Sequence, residues 1–139
     1  MNDIQHFALI TCNAYALIWR RFLERKSAYE IFRAVAIDIE CICKGIKHNS
    51  NTVFQLKKSS SSVFANISEA QYAQSLADML SKFKIARKEC VETESWLKLL
   101  FSVGSIDETT YKKQRNLCGR IRRMLTASCI TIENKTNGK

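Results

Sequence analysis

The chain contains no proline. At an average usage of about 5%, a chain of 139 residues would carry roughly seven. Proline removes a backbone donor and breaks both helices and central strands, so its absence leaves long uninterrupted elements open to the whole sequence. Only four glycines are present, which leaves little material for tight turns. A sandwich, a barrel or a glycine-rich phosphate loop is therefore disfavoured, and long helices with few connections are favoured. The length suits one domain with a single core. A composition of 46% hydrophobic and 25% charged residues is that of a folded chain and not of a disordered one.

Apolar residues recur at helical spacing in five stretches. The first passes through Ile4, Phe7, Ala8, Thr11, Ala14, Tyr15, Ile18 and Phe22. The second passes through Ala28, Ile31, Phe32, Val35, Ile39, Ile42 and Ile46, with Ser27 and Glu30 spaced as a capping box. Its end is expected in the turn-forming run from Gly45 to Asn51, behind Lys44 and Lys47. The third runs from Val53 to about Tyr72 through Leu56, Val63, Ile67 and Ala70. Its four consecutive serines, Ser59 to Ser62, fall inside the apolar period and read as a close helix contact better than as a linker. The fourth runs from Leu76 to Ser102 and stops before Gly104. Ser105 or Asp107 then caps a last helix through Tyr111, Leu117, Cys118, Ile121, Leu125, Ser128 and Ile132. The short connections make neighbours antiparallel. The expected fold is all-α: an antiparallel up-and-down four-helix bundle over residues 27–133, with an extra N-terminal helical segment over 1–26 and a frayed, disordered tail over 134–139.

No set of residues supports catalysis. His6 and His48 fall in a terminus and a turn, and no metalloprotease, phosphate-loop or paired CxxC spacing occurs. Glu92 and Glu94 face apart on a helix, and Glu89 and Glu92 read as surface partners of Lys82 and Lys88. Of the six cysteines, Cys41 and Cys43 are two apart, so a helix turns them about 200° from each other and they do not form a metal clamp. The thiols read as small core or boundary side chains. The expectation is a protein that is not an enzyme and needs no cofactor. The start of the chain lacks a basic leader, and its apolar stretch, broken by Asn13, is too short to cross a bilayer. A cytoplasmic protein with reduced thiols and no membrane partner is expected.

Charge carries more information. The formal net charge is +9, and between Ser105 and Lys139 eight Lys or Arg stand against three acids, a net +5. At 100° per residue, the apolar side of the last helix centres near Ile121. Lys112, Lys113, Arg115, Arg120, Arg122 and Arg123 fall on the other half, accompanied on that helix only by Glu108 at its start. Such a stripe is either a solvated face or a surface for a phosphate backbone. No aromatic is interleaved with the basic residues, so sequence-independent phosphate contact is the better form of the second reading.

The segment from Gln55 to Leu125 resembles a known family. Its members carry a stretch of the form Q-I-R-R-A-A-x-S-I-P-A-N-I-A-E-G, which here reads Gln55-Leu56-Lys57-Lys58 through the four serines to Val63-Phe64-Ala65-Asn66-Ile67-Ser68-Glu69-Ala70. The family's E-x-E-T-Q-L-x-L-A and G-Y-I elements correspond to Cys90 to Leu100 and Gly104 to Ile106, and Arg122 to Leu125 resembles its final I-x-K-M-L. The chain is similar to the four-helix-bundle family that includes proteins encoded within intervening sequences of bacterial 23S rRNA genes and the accessory variability (Avd) proteins of diversity-generating retroelements. That resemblance implies a homopentameric ring with basic surfaces. In the retroelement branch it also implies binding to a reverse transcriptase and its template RNA. It places the family's Asn and Glu on Asn66 and Glu69, where a structural role at a seam is expected. Phe64 stands where the family has proline and Ala70 where it has glycine, so the helix here is expected to run straighter.

Overall fold

The computed structural model describes residues 28–138. The segment 1–26, Ser27 and Lys139 lie outside the described residues, and with them the expected N-terminal helix and the capping box. Four helices follow in order: α1 (Ala28–Lys44), α2 (Ser50–Ala70), α3 (Leu76–Ser102) and α4 (Glu108–Thr136). No strand occurs among the described residues. Each helix packs on the next, and α1 closes the ring against α4, which makes an antiparallel up-and-down four-helix bundle. The interior is the apolar side of all four: Phe32 and Ile39 from α1, Leu56 and Ile67 from α2, Phe83 and Leu97 from α3, and Ile121, Leu125 and Ile132 from α4, none more than 2% exposed. Among the described residues no helix is long and apolar enough to cross a membrane.

The connections are made by turn chemistry that can be followed residue by residue. α3 ends in a Schellman turn: Gly104 takes φ 80, its N–H donates to Phe101 O at 3.0 Å, and the Ser105 N–H donates to Leu100 O at 2.9 Å. Glycine meets the left-handed backbone there without the Cβ penalty. Of the two expected caps for α4 it is Asp107 that acts, its Oδ1 accepting from the Thr110 N–H at 2.7 Å. Ser105 instead accepts from Asn49 Nδ2 at 2.9 Å, which joins the two connections at this end of the bundle. Asn49 holds φ 60, a conformation asparagine tolerates better than most residues. It lets α2 begin at Ser50, ahead of the expected Val53. At the other end Ser75 caps α3 by accepting from the Asp78 N–H at 3.0 Å, and Asp78 Oδ2 accepts from the Gln74 N–H at 3.1 Å.

Two expectations about continuity resolve. The serine run lies inside α2, with Ser59 and Ser60 buried against α3. Ser59 Oγ accepts from Thr93 Oγ1 at 2.9 Å and donates to Leu56 O at 3.1 Å, so the small side chains are where two helices meet and not a linker. α2 is also unbroken through Phe64, as expected where proline is missing. The expected fraying at Asn134 is corrected: α4 continues to Thr136 and is capped at Asn137. Ile132 is fully buried and Lys84 of α3 pairs with Glu133 at 2.9 Å, so the last turns are tied down.

Candidate nucleic-acid interface

α4 supplies all six basic residues singled out from the sequence, and the fold divides them. Lys112 pairs with Glu108 one turn back, at 2.8 Å, and that contact holds the Glu108 carboxyl below its usual range. Lys113 reaches Asp38 of α1 at 3.0 Å, and Asp38 also accepts from the buried Gln114 amide at 2.8 Å. Arg122 turns toward α3, where its Nε lies 2.7 Å from Glu94 Oε2. The picture of six cations opposed only by Glu108 is thus corrected. A helical wheel contains the acids of its own helix alone, and Asp38 and Glu94 come from neighbours.

Arg115, Arg120 and Arg123 remain, with no carboxylate partner among the described residues. Together with Asn116, Gly119 and Arg122 they line a shallow groove of about 360 Å³ whose other wall is Glu94. Arg115 is braced on its inner side: its guanidinium lies 5.5 Å from the Tyr111 ring centroid. Tyr111 in turn stacks on Phe101 of α3, with centroids 4.7 Å apart and planes 3° from parallel. This aromatic support was not read from the sequence, although the four-residue spacing of Tyr111 and Arg115 is its signal. Gly119, an isolated glycine inside a helical pattern, was also passed over.

The remaining singled-out residues do not line the groove. Glu69 accepts from Lys82 Nζ at 2.7 Å across α2 and α3, an exposed pair of modest value. Lys82 is therefore a partner of Glu69 and not of Glu89 or Glu92. Asn66 turns back on its own helix, Nδ2 donating to Ser62 O at 2.8 Å. Glu92 accepts from Trp96 Nε1 at 3.2 Å. Glu89 beside it is pushed up by burial and by the Glu92 charge. Cys41 is exposed and Cys43 buried, which is the opposed placement expected of them, and burial pushes the Cys43 thiol up. Cys90 Sγ donates to Cys118 O at 3.4 Å. The Cys118 thiol is pushed far up by its contact with Cys90 and by burial, so it is inert as a nucleophile. Among the described residues no cluster of three metal-ligating side chains forms.

A family model described as 23S rRNA-intervening sequence protein matches residues 25–127. The chain belongs to that family. A solved relative of this intervening-sequence fold is a protein of unknown function from Bacteroides thetaiotaomicron, assigned to the S23 ribosomal protein family. It is 31% identical, with a TM-score of 0.69, and the match covers 73% of this chain and 97% of the relative. No curated protein matches in sequence. The bundle is thus a scaffold that this chain shares with that relative.

Proposed function

We propose that this intervening-sequence family protein is a non-enzymatic RNA-binding bundle that contacts the phosphate backbone through Arg115, Arg120 and Arg123. In this reading it acts as a homo-oligomeric ring, the accessory subunit of a diversity-generating retroelement, beside a reverse transcriptase and its template RNA. The observation that carries the RNA half is the groove: three guanidinium groups left without carboxylate partners among the described residues, one of them braced on Tyr111. Arginine suits phosphate because its planar fork donates two parallel hydrogen bonds. The ring, the retroelement and the reverse transcriptase rest on the resemblance of Gln55–Leu125 to that branch.

The test is filter binding of single-stranded RNA across a salt series. Each neutralised phosphate contributes about 0.7 to the log–log slope on a single strand, so replacing all three arginines with Gln lowers the slope by about 2. A salt-independent affinity removes the reading. A second reading, a protein–protein assembly module, is favoured by exposed apolar side chains on several helices, including Ile37 at 50%, Phe54 at 60% and Ile130 at 52%. It predicts a complex with a protein partner that survives nuclease and high salt.

A further inference from the structure

α4 carries a glycine at its middle for which the bundle offers no reason. Glycine inside a helix costs about 1 kcal/mol relative to alanine, and such a residue commonly marks a close backbone approach. Gly119 is buried, yet a Cβ built on it would meet, within 4 Å, only the Arg123 Nη1 at 3.5 Å. That distance is ordinary contact with the far end of a flexible side chain. No side chain or backbone of α3 comes near enough to require the missing methyl, so helix packing within the described residues does not explain it.

The neighbours of that notch are also unusual. On a helix surface the positions surrounding residue i are i±3 and i±4. For Gly119 these are Arg115, Asn116, Arg122 and Arg123, every one a hydrogen-bond donor and three of them cationic. All four line the groove, as does Arg120. Arg122 is fixed by Glu94, at 2.7 Å for Nε and 3.3 Å for Nη2, and Arg115 by Tyr111. Two of the donors are therefore held in place before anything binds. Arg123, whose guanidinium covers Gly119, is the movable one.

We propose that the Gly119 notch is a single-phosphate seat, in which a phosphate group lies against the bare helix surface between Arg115, Asn116, Arg122 and Arg123. This deepens the RNA reading and rests on it: the seat sets where on the groove one phosphate of the strand is anchored. Gly119 supplies room and not a donor, because its N–H belongs to the helix. The same chemistry serves an internucleotide phosphate or a 5′-terminal one.

Gly119→Ala and Gly119→Leu in the full chain test it. If the notch is a seat, a side chain there obstructs the ligand while improving the helix. Alanine should raise the melting temperature by roughly 2–4 °C and leucine should not lower it. Binding to an oligouridylate should weaken several-fold for alanine and roughly tenfold or more for leucine, the loss expected of one charge-assisted contact. A 5′-phosphorylated oligomer that outbinds its 5′-hydroxyl counterpart only on the wild-type protein assigns the seat to a strand end. Equal affinities, both reduced by the substitutions, assign it to an internal phosphate. A lower melting temperature or an altered sedimentation coefficient for Gly119→Ala places the glycine in packing within or between chains and overturns the proposal. Unchanged affinity of both variants also overturns it, even where the arginine substitutions above weaken binding. If wild-type protein binds no RNA, the functional reading fails separately. Pyrophosphate titrated against the Gly119 and Arg123 amide resonances then decides the seat: saturable shifts lost in Gly119→Leu support it, and none overturns it.

Discussion

Replacing Ser59 with leucine should unfold this protein far more readily than the same change two residues away at Ser61. Ser59 is 1% exposed, at the point where α2 meets α3, and its hydroxyl accepts from Thr93 at 2.9 Å. The substitution removes that hydrogen bond, worth about 1 kcal/mol net. It also forces a branched side chain into a contact where the neighbouring void, lined by Ser60 and Thr93, amounts to only about 10 Å³. Overpacking of that kind costs about 1–3 kcal/mol, while leucine's better helix propensity returns at most about 0.5 kcal/mol. The net loss is about 2–3 kcal/mol, or roughly 10 °C in melting temperature for a domain of this size. Ser61 is exposed and bonds only to Lys58 O of its own helix, at 3.0 Å, so Ser61→Leu should stay within about 0.5 kcal/mol of wild type. Thermal melts followed at 222 nm compare the two directly. Equal melting temperatures would refute the claim that the serine run is a close helix contact. Ser59→Ala loses the same hydrogen bond without overfilling the contact, and Thr93 keeps Glu89 O at 2.9 Å, so it should fall within about 1 kcal/mol of wild type.

Three further outcomes are expected. Phe64→Pro removes an amide donor from the middle of the unbroken α2 and should cost about 3 kcal/mol or more, seen as lost helicity and a lower urea midpoint. Asp107→Ala removes the α4 cap, and because the Thr110 contact depresses the Asp107 carboxyl, its contribution is present above the unfolded pKa and fades as pH falls through the folded one. The melting-temperature gap between variant and wild type should therefore be clear at pH 7 and narrow in strong acid. Glu94→Gln takes the one carboxylate out of the arginine groove and frees Arg122, so RNA affinity should rise and the salt slope steepen; weaker binding would mean that fixing Arg122 matters more than the added charge.

Much of the architecture could be read from residues that act locally. Leu76–Ser102 matches its expected bounds because the apolar period is bounded by Gly104, whose backbone requirement is written in one residue. Ser59–Ser62 could be placed because the period continued through it. The end of α4 was not legible in the same way: Asn134 looks like a terminus until Ile132 and the Lys84–Glu133 pair are seen to hold the next turn. The choice between Ser105 and Asp107 as cap depended on Asn49, 56 positions away in sequence from Ser105. At the candidate interface the helical wheel put the six basic residues on one helix but overcounted its free charges, since the acids that neutralise Lys113 and Arg122 lie on α1 and α3. Tyr111 was counted as a core residue only, because its stacking partner Phe101 belongs to another helix.

The inequality of the four helices bears on how the molecule opens. α1 has 17 residues against 27 and 29 in α3 and α4, about 25 Å of rise beside about 40 Å. Among the described residues its main packing partners are α2 and α4. In native-state hydrogen exchange, α1 amides should form the lowest-energy cooperative unit of the described bundle, exchanging through an opening that exposes the layer of Phe32, Cys90 and Cys118 to solvent and to thiol reagents. The arginine groove lies on the outer side of α4, toward Glu94 of α3, and its amides should stay protected through that opening. The protein can thus lose the shortest of its described helices transiently and still keep the arginine groove intact.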